Sequence, residues 1–297
     1  MKPKDDLIVN DYEQFLSNFE ILTLNLTEIK SCDTIMIIDM QNDFVLHDAP
    51  LYVNGAEQII PKINEIIKYC RNNNISLFFT RDYHLPSDNS FIENGGKFPP
   101  HCIANTKGSH IIDDFVNLVN ELYVSQPINY SHSHSISKIS ILFKSFDSEI
   151  DSFGAFHYPQ EYADLRDLDN DGIVNKCDTT FTGSYGVQIT QVSDLNMDPE
   201  PSTIRKKIEL NVFKSAESLI TSIHDDVKAK ATLGDLYITG VALDYCVLDT
   251  AITGRHSGKF KNIYILVDVS RPVNFSHTSI KRLIHQWNIK LAVIKID

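Results

Sequence analysis

The chain has 297 residues, of which 42% are hydrophobic, enough to form a sizeable buried core. Acidic residues outnumber basic ones by 39 to 27, and the net charge of −12 argues against nucleic acid as the main partner. No apolar run approaches the roughly 20 residues that a membrane span needs. The first residues carry acids where a signal peptide needs an apolar stretch. These features predict a cytoplasmic protein, with the nucleus as an open alternative, that binds neither nucleic acid nor membrane.

Short apolar runs of strand length recur along the chain, and segments of helical periodicity separate them. The runs lack polar alternation, as expected of strands covered on both faces. They span residues 34–39, 75–80, 138–143, 235–241, 262–268 and 291–296. Strands that alternate with helices predict an α/β fold, here a three-layer sandwich with a six-stranded, mainly parallel sheet.

Two segments interrupt this alternation. Residues 1–30 form an acidic extension with one amphipathic helix predicted around 12–19. Residues from about 157 to 208 show no sustained periodicity, and so long an irregular stretch is uncommon in a compact domain unless it is an insertion. The predicted organisation is therefore an extension over 1–30 and one domain over 31–297, interrupted by an insertion at about 157–208.

Reactive side chains follow four of the predicted strands. Asp39 ends the first strand, Asp82 and His84 follow the second, Lys144 follows the third, and Cys246 comes shortly after the fourth. The carboxyl ends of parallel strands meet at one edge of a sheet, where ligands of doubly wound folds bind. An acid, a cation, a nucleophile and metal-ligating groups are therefore predicted to lie together.

Cys246 is the candidate nucleophile. It stands where a helix is predicted to begin, and a helix N-terminus with a nearby lysine stabilises a thiolate. A thiolate attacks a carbonyl carbon, and backbone amides can then hold the oxyanion. Taken alone, a cysteine in this apolar segment is more often a core residue than a nucleophile. Its predicted place beside Asp39 and Lys144 favours catalysis.

The segment 82–101 contains candidate metal ligands. Asp82 and His84 lie two residues apart, Asp88 follows, and His101 lies downstream. Carboxylate and imidazole groups suit a divalent transition ion such as zinc, iron or manganese. The alternative interpretation is a polar loop with incidental histidines.

The order and spacing of these motifs resemble a known family. The chain is similar, over about 32–156 and 209–296, to the cysteine hydrolase superfamily that contains the isochorismatases and the nicotinamidases. The resemblance is carried by the strings IDMQNDF, RDYH, FPPHC, DSFGAF and GVALDYCV. FPPHC, and a lysine followed by DSFGAF, resemble the nicotinamidases in particular, because isochorismatases lack the metal cluster.

The resemblance implies an activity. It is that of an amidohydrolase acting on a linear carboxamide, which converts nicotinamide to nicotinate and ammonia through a cysteine thioester, in NAD salvage. Pyrazinamide, with the same ring nitrogen and carboxamide, is an expected second substrate. Homo-oligomers are common in the family, so a homo-oligomer is expected here.

The resemblance also implies the roles of single residues. Asp39, Lys144 and Cys246 match the catalytic triad, with Asp39 as the base and Lys144 holding the thiolate. The amides of Ala242 and Cys246 match the oxyanion hole, after a cis peptide between Val241 and Ala242. Asp82, His84 and His101 match the metal ligands. Phe44, Phe98 and Phe153 match the aromatic residues that flank the substrate ring. Zinc is the expected ion, with iron and manganese as alternatives.

Three positions depart from the family pattern. Phe153 replaces the usual tyrosine, which keeps the ring and loses the hydroxyl. Ser145 replaces the glycine that usually follows the lysine. Asp88 stands where the family often has histidine, and it is a fourth candidate ligand that would favour a harder ion.

The predicted insertion contains a second candidate metal site. Residues 167–178 resemble a calcium-binding loop of the EF-hand type, with acids at loop positions 1, 3, 5 and 12 and glycine at position 6. The candidate calcium ligands are Asp167, Asp169, Asp171, Ile173, Asn175 and Asp178. A solvated acidic loop is the equally open alternative.

Two alternative functions remain beside the nicotinamidase prediction. One is another small-amide or carbamoyl hydrolase of the same superfamily, which would not need the metal cluster or the aromatic wall. The other, of a different class, is a calcium-regulated interaction protein built on an inactive hydrolase fold.

Overall fold

The structure is a computed structural model, and it describes residues 12–123, 138–148, 151–159, 183–224, 233–273 and 277–296. The candidate calcium loop at 167–178 lies outside the described residues. So do most of the predicted insertion before residue 183 and the first residues of the predicted extension.

A single nine-stranded sheet forms the centre of the described fold, with strand order β1-β9-β8-β7-β2-β3-β4-β5-β6. All neighbours from β1 to β4 in this order pair in parallel. β5 pairs antiparallel with both of its neighbours, β4 and β6. The strands are β1 (Ile21–Asn25), β2 (Thr34–Ile38), β3 (Ser76–Asp82), β4 (Ile139–Lys144), β5 (Tyr185–Gln188), β6 (Lys214–Ser215), β7 (Leu236–Val241), β8 (Ile263–Arg271) and β9 (Lys290–Lys295).

The predicted α/β fold with a mainly parallel sheet is confirmed, but six was too low a number of strands. The three additional strands lie at the two edges of the sheet. β1 pairs with β9 and is only partly buried, so it lacks the continuous apolar run that marks the inner strands. β5 and β6 have four and two residues, too few to give a periodic signal.

Seven α-helices lie among the described residues, besides short 3₁₀ turns, one π-helical turn (Leu243–Val247) and one helical turn at 12–16. They are α1 (Asn42–Val45), α2 (Ile60–Asn72), α3 (Asp113–Tyr123), α4 (Pro201–Glu209), α5 (Ala216–His224), α6 (Leu248–His256) and α7 (His277–Gln286). No helix in the described part of the chain has both the length and the apolar character required to cross a bilayer.

Two hydrophobic cores cover the two faces of the sheet. Alternate residues of β2 point in opposite directions, so that Ile35 and Ile37 join one core while Met36 and Ile38 join the other. Helices α2, α3 and α4 pack on the first face, and α5, α6 and α7 on the second. Because both faces are covered, all five residues of β2 are buried, which explains its unbroken apolar sequence.

The predicted extension and the predicted insertion both contribute to the sheet in their described parts. In the segment 1–30, the Tyr12 hydroxyl donates to the carbonyl of Val267 over 2.7 Å, and β1 forms one edge of the sheet. In the segment 157–208, β5 pairs with β4. Arg81, at the end of β3, donates to the carbonyl of Met197 over 2.6 Å and to Asp198 over 3.0 Å. The domain boundaries themselves stay a prediction.

Candidate active site

Four adjacent strands bring the predicted reactive residues together. In the order β7-β2-β3-β4 the strands are parallel, so their carboxyl ends meet at one edge. Asp39 follows β2, Asp82 ends β3 and Lys144 ends β4, and the last two are direct partners in the strand register. Cys246 lies in the turn after β7.

The ammonium group of Lys144 is the centre of the site. Its Nζ lies 2.9 Å from Asp39 Oδ2, 2.8 Å from Asp82 Oδ1 and 3.4 Å from Cys246 Sγ. Burial by itself lowers the pKa of Lys144, but the carboxylates of Asp39 and Asp82 outweigh it and hold that pKa well above its usual value. Lys144 is therefore a permanent cation between two acids and a thiol.

Asp39 is held in place by its neighbours in the sheet. It has a positive φ of 47° immediately after β2 and is fully buried. Its backbone N–H donates to Thr80 Oγ1 over 3.0 Å, and the Thr80 hydroxyl donates to Asp39 Oδ1 over 2.6 Å. Burial raises the pKa of Asp39, while Lys144 opposes that rise. A carboxyl group with a raised pKa is a better general acid and base than an exposed one.

Cys246 lies in a π-helical turn, Leu243–Val247, that leads into α6. The peptide bond between Val241 and Ala242 is cis, as the resemblance implies. Gly240 allows the close approach of β7 to β2, because a Cβ there would lie 2.1 Å from the carbonyl oxygen of Ile38. Burial raises the pKa of the Cys246 thiol, and Lys144 opposes that rise. A raised pKa favours the thiol over the thiolate, so that attack by Cys246 calls for a base.

Asp82, His84 and His101 form a group that could hold a metal ion. One ligand atom of each lies within 4.8 Å of the others, and all three residues are buried. Asp82 Oδ2 lies 3.1 Å from His84 Nε2 and 3.5 Å from His101 Nε2. The other oxygen of Asp82 accepts from Lys144, which links this group to the triad.

The orientation of both imidazoles fits a metal ion. His84 Nδ1 lies 2.9 Å from Asp88 Oδ2, and His101 Nδ1 lies 2.8 Å from the carbonyl oxygen of Pro99. Both oxygen atoms are hydrogen-bond acceptors, so each Nδ1 carries a proton. Each Nε2 is then directed to Asp82 Oδ2, where a metal ion would bind, as in histidine metal ligands. Asp88, the fourth candidate ligand, lies behind His84 and is not in the three-residue group.

The charges around the imidazoles also suit a divalent cation. Asp39, Asp82, Asp88 and Asp151 are all buried, and the Lys144 ammonium contacts the first two. Burial lowers the pKa of His84, but Asp82 and Asp88 outweigh this and raise it well above its usual value. Buried carboxylates in excess require positive charge nearby. The donor set and its charge therefore fit a divalent metal ion.

An aromatic pocket of about 80 Å³ opens above Cys246. Phe98 and Phe153 meet edge to face with ring centroids 6.2 Å apart, and Phe44 lies 5.4 Å from the His101 ring. The pocket is lined by Phe44, Leu51, Asp82, Phe98, His101, Asp151, Phe153, Ala242, Tyr245, Cys246 and Val273. All three predicted aromatic residues and both predicted oxyanion-hole residues thus line one pocket.

Sequence reasoning missed four lining residues of this pocket, of which Tyr245 and Asp151 carry an aromatic ring and a titratable group. Tyr245 lies 5.6 Å from Phe153 and 5.9 Å from Phe98, measured between ring centroids. Asp151 is 3% exposed, and burial raises its pKa to about 6. Both belong to motif strings given above: Tyr245 precedes the nucleophile in GVALDYCV, and Asp151 is the first residue of DSFGAF. Those strings were the available signal.

Two further missed residues, Gln41 and Asp43, hold the candidate metal ligands through the backbone. The amide of Gln41 bonds both backbone groups of Asp82. Asp43 Oδ2 accepts from the backbone N–H of Cys102 over 2.7 Å, next to His101. Both residues belong to the string IDMQNDF, so their place beside Asp39 was the available signal.

Comparison with known proteins agrees with the motif resemblance. The family model "Isochorismatase domain" matches residues 33–133. A nicotinamidase from Saccharomyces cerevisiae is 23% identical over 265 residues, covering 81% of this chain and 88% of the relative. The predicted resemblance to isochorismatase-like hydrolases, with nicotinamidases among the relatives, is confirmed.

Solved structures share the fold. PnC1 from L. infantum in complex with nicotinate has a TM-score of 0.54 and 19% identity, covering 94% of this chain and 100% of that one. The yeast nicotinamidase bound to the inhibitor nicotinaldehyde has a TM-score of 0.54 and 21% identity, covering 88% and 99%. At these identities the likeness establishes the fold alone.

Proposed function

We propose that this protein is a nicotinamidase, which hydrolyses nicotinamide to nicotinate and ammonia and serves NAD salvage. The observation that carries the proposal is the position of Lys144 Nζ. It contacts the base Asp39, the thiol Cys246 and the metal-ligand candidate Asp82 at the base of an aromatic pocket. A peptide-cleaving cysteine site pairs its thiol with histidine instead.

The first half of the reaction acylates Cys246. Asp39 and Cys246 both contact the Lys144 ammonium, so that Asp39 takes the thiol proton and Lys144 stabilises the thiolate. The sulfur attacks the carboxamide carbon, and the amides of Ala242 and Cys246 hold the oxyanion. Asp39 then gives its proton to the departing nitrogen. Ammonia leaves, and a nicotinoyl thioester remains on Cys246.

The second half hydrolyses the thioester. Asp39, again a carboxylate, takes a proton from water, whose oxygen attacks the thioester carbon. The same two amides hold the second oxyanion, and its collapse expels the thiolate. The proton on Asp39 returns to the sulfur, and the product leaves as nicotinic acid, which loses its remaining proton to solvent to give nicotinate. In each cycle Asp39 therefore transfers one proton from the thiol to the departing nitrogen and one from water to the sulfur.

The ring of the substrate is positioned by the rest of the pocket. Phe44, Phe98 and Phe153 would pack against its faces and edges. Asp82, His84 and His101 would hold a divalent ion, with zinc expected, and that ion supplies a Lewis acid for the ring nitrogen. This requirement separates nicotinamide from amides that lack a ring nitrogen.

A substrate panel tests the proposal. Metal-reconstituted protein is expected to release ammonia and nicotinate from nicotinamide, and ammonia from pyrazinamide. Benzamide, which has the same ring size and carboxamide but no ring nitrogen, is expected to react poorly. Rapid cleavage of benzamide or of aliphatic amides would favour another amide or carbamoyl hydrolase of the superfamily. The absence of turnover on every amide would favour an interaction protein on an inactive hydrolase fold.

A further inference from the structure

Ser145 has a backbone conformation that is unusual for its residue type. It follows Lys144 directly, has a positive φ of 54°, and is 2% exposed. Left-handed backbone is disfavoured for residues that carry a Cβ, and glycine is the usual occupant. A buried serine there therefore points to a contact that glycine could not make.

That contact is a hydrogen bond to Asp151. The Ser145 hydroxyl lies 2.9 Å from Asp151 Oδ1, with the carbonyl oxygen of Ser152 as a second acceptor at 3.2 Å. A hydroxyl has one proton, and the shorter bond to the acid is the stronger one. Ser145 thus connects the end of β4 to the segment that lines the pocket.

Asp151 faces the candidate metal site from outside its three-residue group. It lines the pocket beside Asp82 and His101. Burial, Asp82 and Asp88 raise the pKa of Asp151, while the charges of His84 and Lys144 oppose that rise. Because Asp151 is not among the three grouped ligands, it would act on the ion through its charge and through hydrogen bonds. Such outer groups commonly change metal affinity.

We propose that Ser145 is a positioning residue whose hydroxyl holds the Asp151 carboxylate at the metal site and thereby strengthens divalent-cation binding by Asp82, His84 and His101. The proposal rests on the metal site of the proposed function, but it does not depend on which amide is hydrolysed. It gives a reason for a serine at a position where the backbone favours glycine.

Cobalt(II) titration of the chelator-treated full-length chain tests this proposal, together with the melting temperature of the metal-free protein. Ser145→Gly removes the hydroxyl and relieves the left-handed conformation. We expect its dissociation constant for Co²⁺ to rise about ten-fold, while its melting temperature is no lower than that of the wild type. Asp151→Asn is expected to weaken Co²⁺ binding similarly, and adding Ser145→Gly to it to cause little further loss.

Two variants complete the test. Ser145→Ala keeps the left-handed strain and loses the hydroxyl, so it should bind Co²⁺ as weakly as Ser145→Gly but melt at a lower temperature. Asn74→Gly is the matched control, since Asn74 is exposed, has the same φ of 54° and lies before the start of β3, at the opposite end of that strand from Asp82. It should leave Co²⁺ affinity unchanged.

Several results would overturn the proposal. They are wild-type Co²⁺ affinity in Ser145→Gly, additive losses in the double variant, no Co²⁺ binding by the wild type, or a lower melting temperature in Ser145→Gly but not in Asn74→Gly. The last result would make the serine a structural residue. Nicotinamide turnover is not measured here, so a protein that binds Co²⁺ as expected but leaves nicotinamide intact contradicts the proposed function alone.

Discussion

The side-chain amide of Gln41 holds Asp82 by both of its backbone groups. Gln41 Nε2 donates to the carbonyl oxygen of Asp82 over 2.8 Å, and Gln41 Oε1 accepts from its N–H over 2.8 Å. The same Nε2 also donates to the carbonyl oxygen of Ser109 over 2.8 Å. The residue two positions after the candidate base thus fixes the carboxylate that contacts Lys144.

Replacing Gln41 should therefore damage the site through Asp82. Gln41→Ala leaves buried backbone groups without partners, and each unsatisfied group costs about 1–3 kcal/mol. We expect a lower free energy of unfolding in urea and at least a ten-fold loss in kcat for nicotinamide. Gln58→Ala, at an exposed position, is the control and should change neither. Wild-type kcat in Gln41→Ala would show that Asp82 does not depend on this contact.

Lys144→Met tests the charge at the centre of the site. Removing the ammonium leaves Asp39 and Asp82 as buried carboxyl groups without their shared cation, and breaking a buried pair in this way costs about 3–5 kcal/mol. We expect the free energy of unfolding to fall by that amount and nicotinamide turnover to be lost.

The matched control is Lys68→Met. Lys68 makes a surface ion pair with Glu65 over 2.7 Å, and its side chain is 44% exposed. Surface pairs contribute about 0–1 kcal/mol, so both stability and turnover should be nearly unchanged. Equal effects of the two substitutions on unfolding would contradict a buried ionic centre at Lys144.

Tyr158 should set the position of Phe153, one of the aromatic residues that line the pocket. Its hydroxyl donates to Asp249 Oδ2 over 2.7 Å and accepts from the N–H of Gly154 over 2.8 Å, next to Phe153. Asp249 lies on α6, three residues after Cys246. In Tyr158→Phe we expect the KM for nicotinamide to rise more than kcat falls, because Phe153 loses its link to the nucleophile's helix.

Steady-state kinetics separates this effect from a general loss of stability. Tyr69→Phe removes a hydroxyl that donates to the carbonyl of Ile29 over 3.2 Å, and it should cost about 1 kcal/mol of stability without changing KM. An unchanged KM in Tyr158→Phe would mean that Phe153 is held by other contacts.

His157 and Glu217 should contribute a pH-dependent part of stability. Their side chains lie 3.1 Å apart, between His157 Nδ1 and Glu217 Oε1. The hydrogen bond that His157 donates to Glu217 raises the pKa of His157 above 6.5. Burial raises the pKa of Glu217, but its bonds with His157 outweigh this and lower it below 4.5.

The sign follows from these two directions. The contribution of His157 is complete below pH 6.5 and is lost as pH rises through its folded pKa, and that of Glu217 is complete above pH 4.5 and is lost as pH falls. The difference in unfolding free energy between wild type and His157→Gln should therefore be largest between these values. His47→Gln, at a side chain that is 70% exposed, should show no such maximum. A difference that grows above pH 8 would contradict this account.

The residues that could be predicted from the sequence share one property. Asp39, Asp82, Lys144 and Cys246 each follow a strongly apolar run, so strand ends and the geometry of parallel sheets suffice to bring them together. The inner strands could be predicted for the same reason, because burial on both faces gives an unbroken apolar sequence.

The remaining features depend on contacts that leave no periodic signal. Gln41 acts on the backbone of Asp82, and such a bond can be made by many residue types in other settings. Asp151 reaches the pocket only through the path of the chain after β4. The edge strand β1 is partly exposed, and β5 and β6 are too short to be recognised.

Ammonia release by two cysteine variants tests the central claim most directly. Wild-type protein, Cys246→Ala and Cys70→Ala would be reconstituted with metal and given nicotinamide. Cys70 is also fully buried, but it lies in the core on α2, so it controls for the loss of a buried thiol. The account predicts turnover by the wild type and by Cys70→Ala, and none by Cys246→Ala with its fold intact. Sustained ammonia release by Cys246→Ala would contradict it.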